Sequence, residues 1–348
     1  MRLTLPKPFD GHAHLRDGAM LKAVLPYTVR QFGSAIVMPN LKTPVTTTAR
    51  AKAYRDEIRA ALPLGAAFEP LMTLYLTDTT NSDDLEQGFK EGVLTAAKLY
   101  PANATTGSAF GVSDIQVLAK VLECMQRIGM PLSVHGEVTD PDVDIFDREA
   151  VFLNKILIPL RRHFPALRIV FEHLTCAESV DYVLTEGQDG LIAGTITAHH
   201  LRLNRSDLFK GGLRPHLYNN PIPKKESDRK ALITAATSGG RMFFLGTDSA
   251  PHSRTAKEGA VIASGCFTHV NALELCAQVF QDDGALDRLE AFASLNGPAF
   301  YGFPVAKDML GLEKLEKPLS ALKPILTSDG AEIVPFNDGA PLFWRLTD

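Results

Sequence analysis

Short apolar runs rich in β-branched and aromatic residues recur along the chain, and between them apolar residues return at helical spacing. The runs predict strands over 8–14, 35–39, 69–76, 95–100, 131–135, 168–173, 191–197 and 242–248. Several, such as A-I-V-M and R-M-F-F-L-G-T-D, have no polar face, which is how strands covered on both sides read. After T-T-T at 46–48, Tyr54, Ile58, Ala61 and Leu62 repeat at helical spacing until Pro63. Ser113-Asp114 can cap a second helix, with Val117, Leu118, Val121, Leu122 and Met125 on one stripe and Gly129 and Pro131 closing it. Strand and helix in alternation imply a parallel sheet, and eight such units imply closure into a (β/α)8 TIM-type barrel. The chain 1–348 is expected to form one domain, with the barrel at about 8–302. A short C-terminal extension, about 303–348, is rich in Pro and Gly and carries no evident chemistry.

A length of 348 residues suits such a barrel with additions. With 45% apolar and 22% charged residues, a large buried core is available. The net charge of −4 and the lack of a basic stripe argue against a nucleic-acid partner. Arg161-Arg162-His163, the densest basic run, reads as a solvated helix end. No run approaches the roughly 18 apolar residues of a membrane span, and MRLTLPKPFD holds no apolar signal core. Cys124, Cys176, Cys266 and Cys276 form no C-x-x-C pair. They read as reduced thiols of a cytoplasmic protein, with Cys266 in a loop beside a pocket or simply packed.

The stretch F-D-G-H-A-H-L-R-D-G changes the picture. On a strand, residues i and i+2 share a face, so His12 and His14 stand side by side, with Arg16 next if the strand continues. Paired imidazoles pack poorly and ligate metals well. Lys98, His135, His173 and Asp248 stand at the carboxyl ends of other strands, which converge on one mouth of a barrel. A lone strand-end histidine is usually a hydrogen-bonded structural residue; four histidines, an aspartate and a lysine at one rim suggest a site for two zinc ions, given one more bridging anion. Lys98 reads as a structural or substrate-binding residue, or as a neutral amine that takes up carbon dioxide and becomes an anionic carbamate between two cations. The loop P-A-N-A-T-T-G-S-A-F-G (101–111), small, polar and rich in Gly and Ala, reads as a surface loop. His199, His200 and His216 read as supporting residues, and His163 and His269 as peripheral.

Seven stretches together resemble the shorter, zinc-dependent dihydroorotases of the amidohydrolase superfamily. They are D-G-H-A-H-L-R-D-G, V-M-P-N, A-A-K-L-Y-P-A-N-A-T-T, V-H-G-E, F-E-H, R-P-H-L-Y and G-T-D-S-A-P-H. The resemblance implies two Zn2+ per subunit: one on His12, His14 and Asp248, the other on His135 and His173. N6-carboxylated Lys98 and a hydroxide would bridge them. It implies the reversible cyclisation of N-carbamoyl-L-aspartate to L-dihydroorotate in pyrimidine (UMP) biosynthesis, with Asp248 as general acid and base. Substrate contacts are implied for Arg16, Asn40 and His252, for Thr105 and Thr106 on a closing loop, and for the backbone near Asn220 and Ser264. Around Asn219-Asn220 and 262–266 the chain departs from the family pattern, which main-chain contacts would tolerate. A homodimer is implied by family analogy. The alternatives are a related cyclic-amide hydrolase of the hydantoinase or dihydropyrimidinase kind, a phosphotriesterase-like hydrolase, and a non-catalytic barrel scaffold. Sister hydantoinases carry a β-sandwich built from both termini, for which the amino-terminal sequence here is short. The scaffold would be expected to have lost ligand positions, and all six stand here.

Overall fold

The computed structural model describes residues 1–320 and 322–347. Its centre is an eight-stranded parallel sheet in sequential order. After β1 (Arg2–Pro6), which lies outside it, come β2 (Phe9–Ala13), β3 (Ser34–Val37), β4 (Glu69–Tyr75), β5 (Leu94–Leu99), β6 (Leu132–Val134), β7 (Ile169–Phe171), β8 (Ile192–Ile196) and β9 (Phe243–Leu245). The sheet curls into a barrel whose last seam is stitched just past the strand ends. There Ala13 bridges Ser249 in parallel, Asp248 N donates to His12 O at 2.9 Å, and His14 N donates to Ser249 O at 3.1 Å. The predicted closure is thus made next to the predicted ligands.

Alternation along β5 shows how the layers form. Ala97 and Leu99 join the large core beneath the helices, while Ala96 joins the small cluster inside the barrel; Leu94, before the register shift against β4, also joins the large core. Lys98 follows Ala96 on that inward face. The interior is apolar at its amino end, where Phe9, Phe244 and Tyr301 meet with ring centroids 5.7 to 6.4 Å apart. It is polar at its carboxyl end. β2 needs a correction to reach both zones. Gly11 faces inward, since a Cβ there would meet the Phe244 ring, so strict alternation would turn His12 outward. A register irregularity between Asp10 and Ala13 turns it back.

All eight predicted strands are present, each ending one to three residues before its predicted end. The helix after 46–48 is Thr48–Ala60, capped by the Thr47 side chain, which accepts from Arg50 N. The Ser113-Asp114 segment begins as a 3-10 turn, Ile115–Leu118, capped by Asp114, and continues as Ala119–Ile128 to a left-handed Gly129. The tighter winding rotates Val117 off the predicted stripe, leaving it 52% exposed.

β1 pairs antiparallel with β10 (Met309–Lys314), which pairs with β13 (Trp344–Thr347). The cap anticipated from about 303 onward therefore also recruits the first strand of the chain. A two-stranded ribbon, β11 (Ile325–Leu326) with β12 (Glu332–Ile333), completes it. Among the described residues no helix is long and apolar enough to cross a membrane.

Candidate active site

The carboxyl rim collects the predicted residues around a small, narrow cavity. His12, His14, Arg16, Asn40, Thr105, Thr106, His135, His173, Asn220, Asp248 and Ser264 all line it. Lys98 lies fully buried beneath, and His252 stands at its edge, bonded to Arg16. Backbone strain aims several of these groups. Arg16, His173 and Asp248 have φ of 60, 42 and 46°, a region costly for residues other than glycine. Val170 on β7 and Glu172 just past its end point inward; the left-handed turn at His173 brings a second consecutive side chain inward. Arg16 likewise reaches the rim through a left-handed turn after β2 has ended, rather than by continued strand alternation.

Three ligating atoms form a triangle. His12 Nε2 lies 3.1 Å from His14 Nε2, His14 Nε2 lies 3.0 Å from Asp248 Oδ1, and His12 Nε2 lies 3.2 Å from the same oxygen. A tetrahedral ion with bonds of about 2.0–2.1 Å would hold its ligands roughly 3.3 Å apart, so the triangle fits a metal. His12, His173 and Asp248 also present ligand atoms within 4.8 Å of one another. The rings of His135 and His173 are 4.8 Å apart, and His173 Nδ1 is buried without a partner. Burial lowers the pKa of all four imidazoles, that of His14 to about 3, so they stay neutral and keep a lone pair for a cation. Burial opposes ionisation of Asp248 as well, but His12 and His14 outweigh it and hold the carboxyl well below the usual range. Burial also brings the Lys98 amine well below its ordinary value, against the attraction of Asp248.

Three residues passed over in the sequence belong to the site. Glu172 meets Lys98 with one oxygen and lies 3.0 Å from His12 Nδ1 with the other, although not in hydrogen-bonding alignment. Glu137 Oε2 is 2.9 Å from His135 Nε2. The Tyr100 ring lies over Lys98, 4.7 Å from its Nζ, and its hydroxyl is buried and unpartnered. Period-two counting back from the strand interior would have found Glu172 and Tyr100. Glu137 stands two places beyond His135 in V-H-G-E.

The 101–111 loop crosses the mouth. Asn40 Nδ2 donates to Thr106 O at 3.0 Å, Tyr75 Oη to Gly107 O at 3.2 Å, and Asn220 Nδ2 to Ala104 O at 3.3 Å. Ser264 N donates to Thr106 Oγ1 at 3.2 Å. Gly107 is required there, with φ of 75° and Asn40 O only 3.2 Å from where a Cβ would sit. Arg16 donates to Pro251 O at 3.1 Å and lies 3.1 Å from His252 Nε2, which is 2.9 Å from Ser264 O.

The remaining histidines divide. His199 and His200 are buried against Asn219, with His200 also held by Thr197 and Pro221 O. His216 pairs with Glu258 at the surface, and His163 is exposed. His269 is not peripheral. Fully buried, it contacts Asp10 at 2.8 Å, Thr247 at 3.0 Å and Thr28 at 2.7 Å, behind the backbone that carries His12 and Asp248. Cys266 is packed, with its thiol toward His216 O.

Residues 3–307 match the model of the amidohydrolase family. The chain is 55% identical to a dihydroorotase of Cupriavidus pinatubonensis over 344 residues, 99% of this chain and 98% of that one. Its fold superposes on a Saccharomyces cerevisiae dihydroorotase solved with 5-fluoroorotic acid, with a TM-score of 0.91 and 31% identity. That match covers 99% of this chain and 98% of the other. A Campylobacter jejuni dihydroorotase gives a TM-score of 0.89 and 34% identity, covering 100% of this chain and 98% of its own.

Proposed function

Because the chain belongs to the amidohydrolase family, and within it aligns end to end with dihydroorotases, we infer that it is a metal-dependent cyclic amidohydrolase that interconverts N-carbamoyl-L-aspartate and L-dihydroorotate. That conversion is a ring closure with loss of water, a step of pyrimidine synthesis. The observation that carries the reading is the near-complete coverage at 55% identity. The triangle of His12, His14 and Asp248 at the mouth of the barrel supports its chemistry.

We propose two zinc ions per subunit. His12, His14 and Asp248 would hold one, His135 and His173 the other, and Lys98 would be shared between them as a carbamate. A buried amine, whose charged form burial disfavours, suits that modification: once deprotonated, its nitrogen adds to carbon dioxide and releases a proton, leaving an anion with two oxygens. When bound, zinc supplies Lewis acidity that polarises the scissile carbonyl and acidifies water. The rest falls to the chain. In ring opening Asp248 accepts the proton of the attacking water and delivers it to the amide nitrogen as the C–N bond breaks; ring closure runs the same transfers backward. Arg16 offers a guanidinium fork to the ring carboxylate, aided by Asn40 and His252. Thr105 and Thr106 close over the ring, and the backbone at Asn220 and Ser264 meets its polar edge. Closure excludes bulk water and orders the reacting groups.

The same reading makes the protein a cytoplasmic homodimer; a monomer mass by light scattering would remove the dimer. Purified protein offered dihydroorotate, hydantoin and dihydrouracil in parallel should open dihydroorotate by far the fastest. Equal or faster opening of a ring without the carboxylate would shift the reading to the hydantoinase side.

A further inference from the structure

Lys257 is buried, and its Nζ donates to three main-chain carbonyls, those of Tyr218, Ala263 and Gly265, each at 2.8 Å. An ammonium has three N–H donors, so this one is saturated by carbonyl dipoles. The carbonyls come from two loops at the carboxyl rim. One loop leads from the Pro215–Leu217 turn to Asn220; the other runs through 259–265. Asn220 on the first and Ser264 and Gly265 on the second line the cavity.

Peptide planarity turns this contact into control of orientation. In a trans peptide the carbonyl of one residue and the N–H of the next point opposite ways. With the Ala263 carbonyl drawn to Lys257, Ser264 N–H faces away, and it meets Thr106 Oγ1 on the loop over the cavity. Gly265 N also donates to Tyr218 O, locking the two loops together, and Asn220 N donates to Ser264 Oγ at 2.6 Å. Lys257 ends the short helix Arg254–Lys257, which begins just after His252, so the staple and a residue bonded to Arg16 share one rigid segment.

We propose that Lys257 is a positioning residue for substrate binding: its ammonium staples the 215–220 and 259–265 loops so that the Asn220 and Ser264 backbone is preset for the ring and for the Thr106 loop. This rests on the dihydroorotase reading for its substrate, while the staple itself has a readout that needs no turnover.

The test is Lys257→Met in the full chain, which keeps the stem and removes the donors. Expected are a KM for dihydroorotate raised about tenfold or more, since three carbonyls lose their partner, kcat within about threefold, and unchanged zinc content. Hydrogen exchange should be faster at 215–220 and 262–266 and unaltered in the barrel strands. A KM within twofold of the wild type, or a loss of metal and kcat with KM unmoved, would overturn the proposal. If wild-type protein does not open dihydroorotate, the substrate reading fails, and the exchange comparison alone decides the staple. Should Lys257→Met fail to fold, Lys257→Arg carries the same comparison. A planar fork cannot aim three donors at this triangle of carbonyls, so it should raise KM while leaving the global melting temperature near wild type.

Discussion

At the scale of single residues, the site is built by side chains that break the rule that places them. Phe244, Gly246 and Asp248 alternate inward as a strand should, and Asp248 then adopts a left-handed backbone. His173 and Arg16 do the same, each at a cost of about 1–3 kcal/mol that the surrounding contacts must offset. Asparagine tolerates that backbone well, so Asp248→Asn is a clean probe. It should melt within a few degrees of wild type yet lose turnover by about 10²–10⁴-fold in a steady-state assay; activity near wild type would remove the proton shuttle. Glu172 stands behind His12 and Lys98, and Glu172→Gln should weaken zinc affinity about 10–100-fold in a competition titration with a chelator. His12, His14, His135, His173 and Asp248, proposed to hold metal, were legible because they converge at the strand ends of one rim, whereas Lys98 took its role only from the family resemblance. Glu172 and Glu137 were not legible, because a carboxylate beside a strand-end histidine ordinarily reads as a solvated residue, and here each is buried against Lys98 or His135.

At the scale of elements, apolar runs marked every barrel strand, but their carboxyl boundaries were set too late. The ladder stops at Phe171 and Leu245 because the next residues turn their backbone toward the cavity, which hydropathy does not record. The same limit hid the 3-10 start at Ile115–Leu118 that exposes Val117. The lone strand β1 was merged with nothing, since its partners lie some three hundred residues away. One helix carries a titration that can be measured. Glu274, on Ala272–Asp282, is buried, with one oxygen unpartnered and the other only 3.4 Å from Arg30 and from Leu346 N. Burial lifts its pKa from 4.5 to about 7, only partly offset by its own backbone, Arg30 and Leu346. Between those values the folded chain holds a proton that the unfolded chain has released, so stability falls as pH rises through the window. Glu274→Gln removes the charge, and calorimetry should find its melting temperature higher than wild type by about 2 °C or more at pH 8 and equal at pH 5.

At the scale of the whole molecule, the chain closes on itself twice. The barrel seam is fastened at the site by Ala13 and Ser249, and the two termini meet in the sheet of β1, β10 and β13. Trp344, the single tryptophan, anchors that sheet: it is fully buried, and its indole N–H donates to Gln281 at 2.8 Å. Trp344→Ala should cost about 3 kcal/mol or more, read as a lower denaturant midpoint by circular dichroism, while zinc content stays at the wild-type level. Residues separated by more than two hundred positions, from His12 to Asp248, gather at one rim, where we propose that they hold a pair of metal ions. Elemental analysis of purified, active protein tests it most directly. About two zinc ions per subunit are expected, falling to about one or fewer in Lys98→Ala with turnover lost; full turnover in protein stripped to near-zero metal would contradict it.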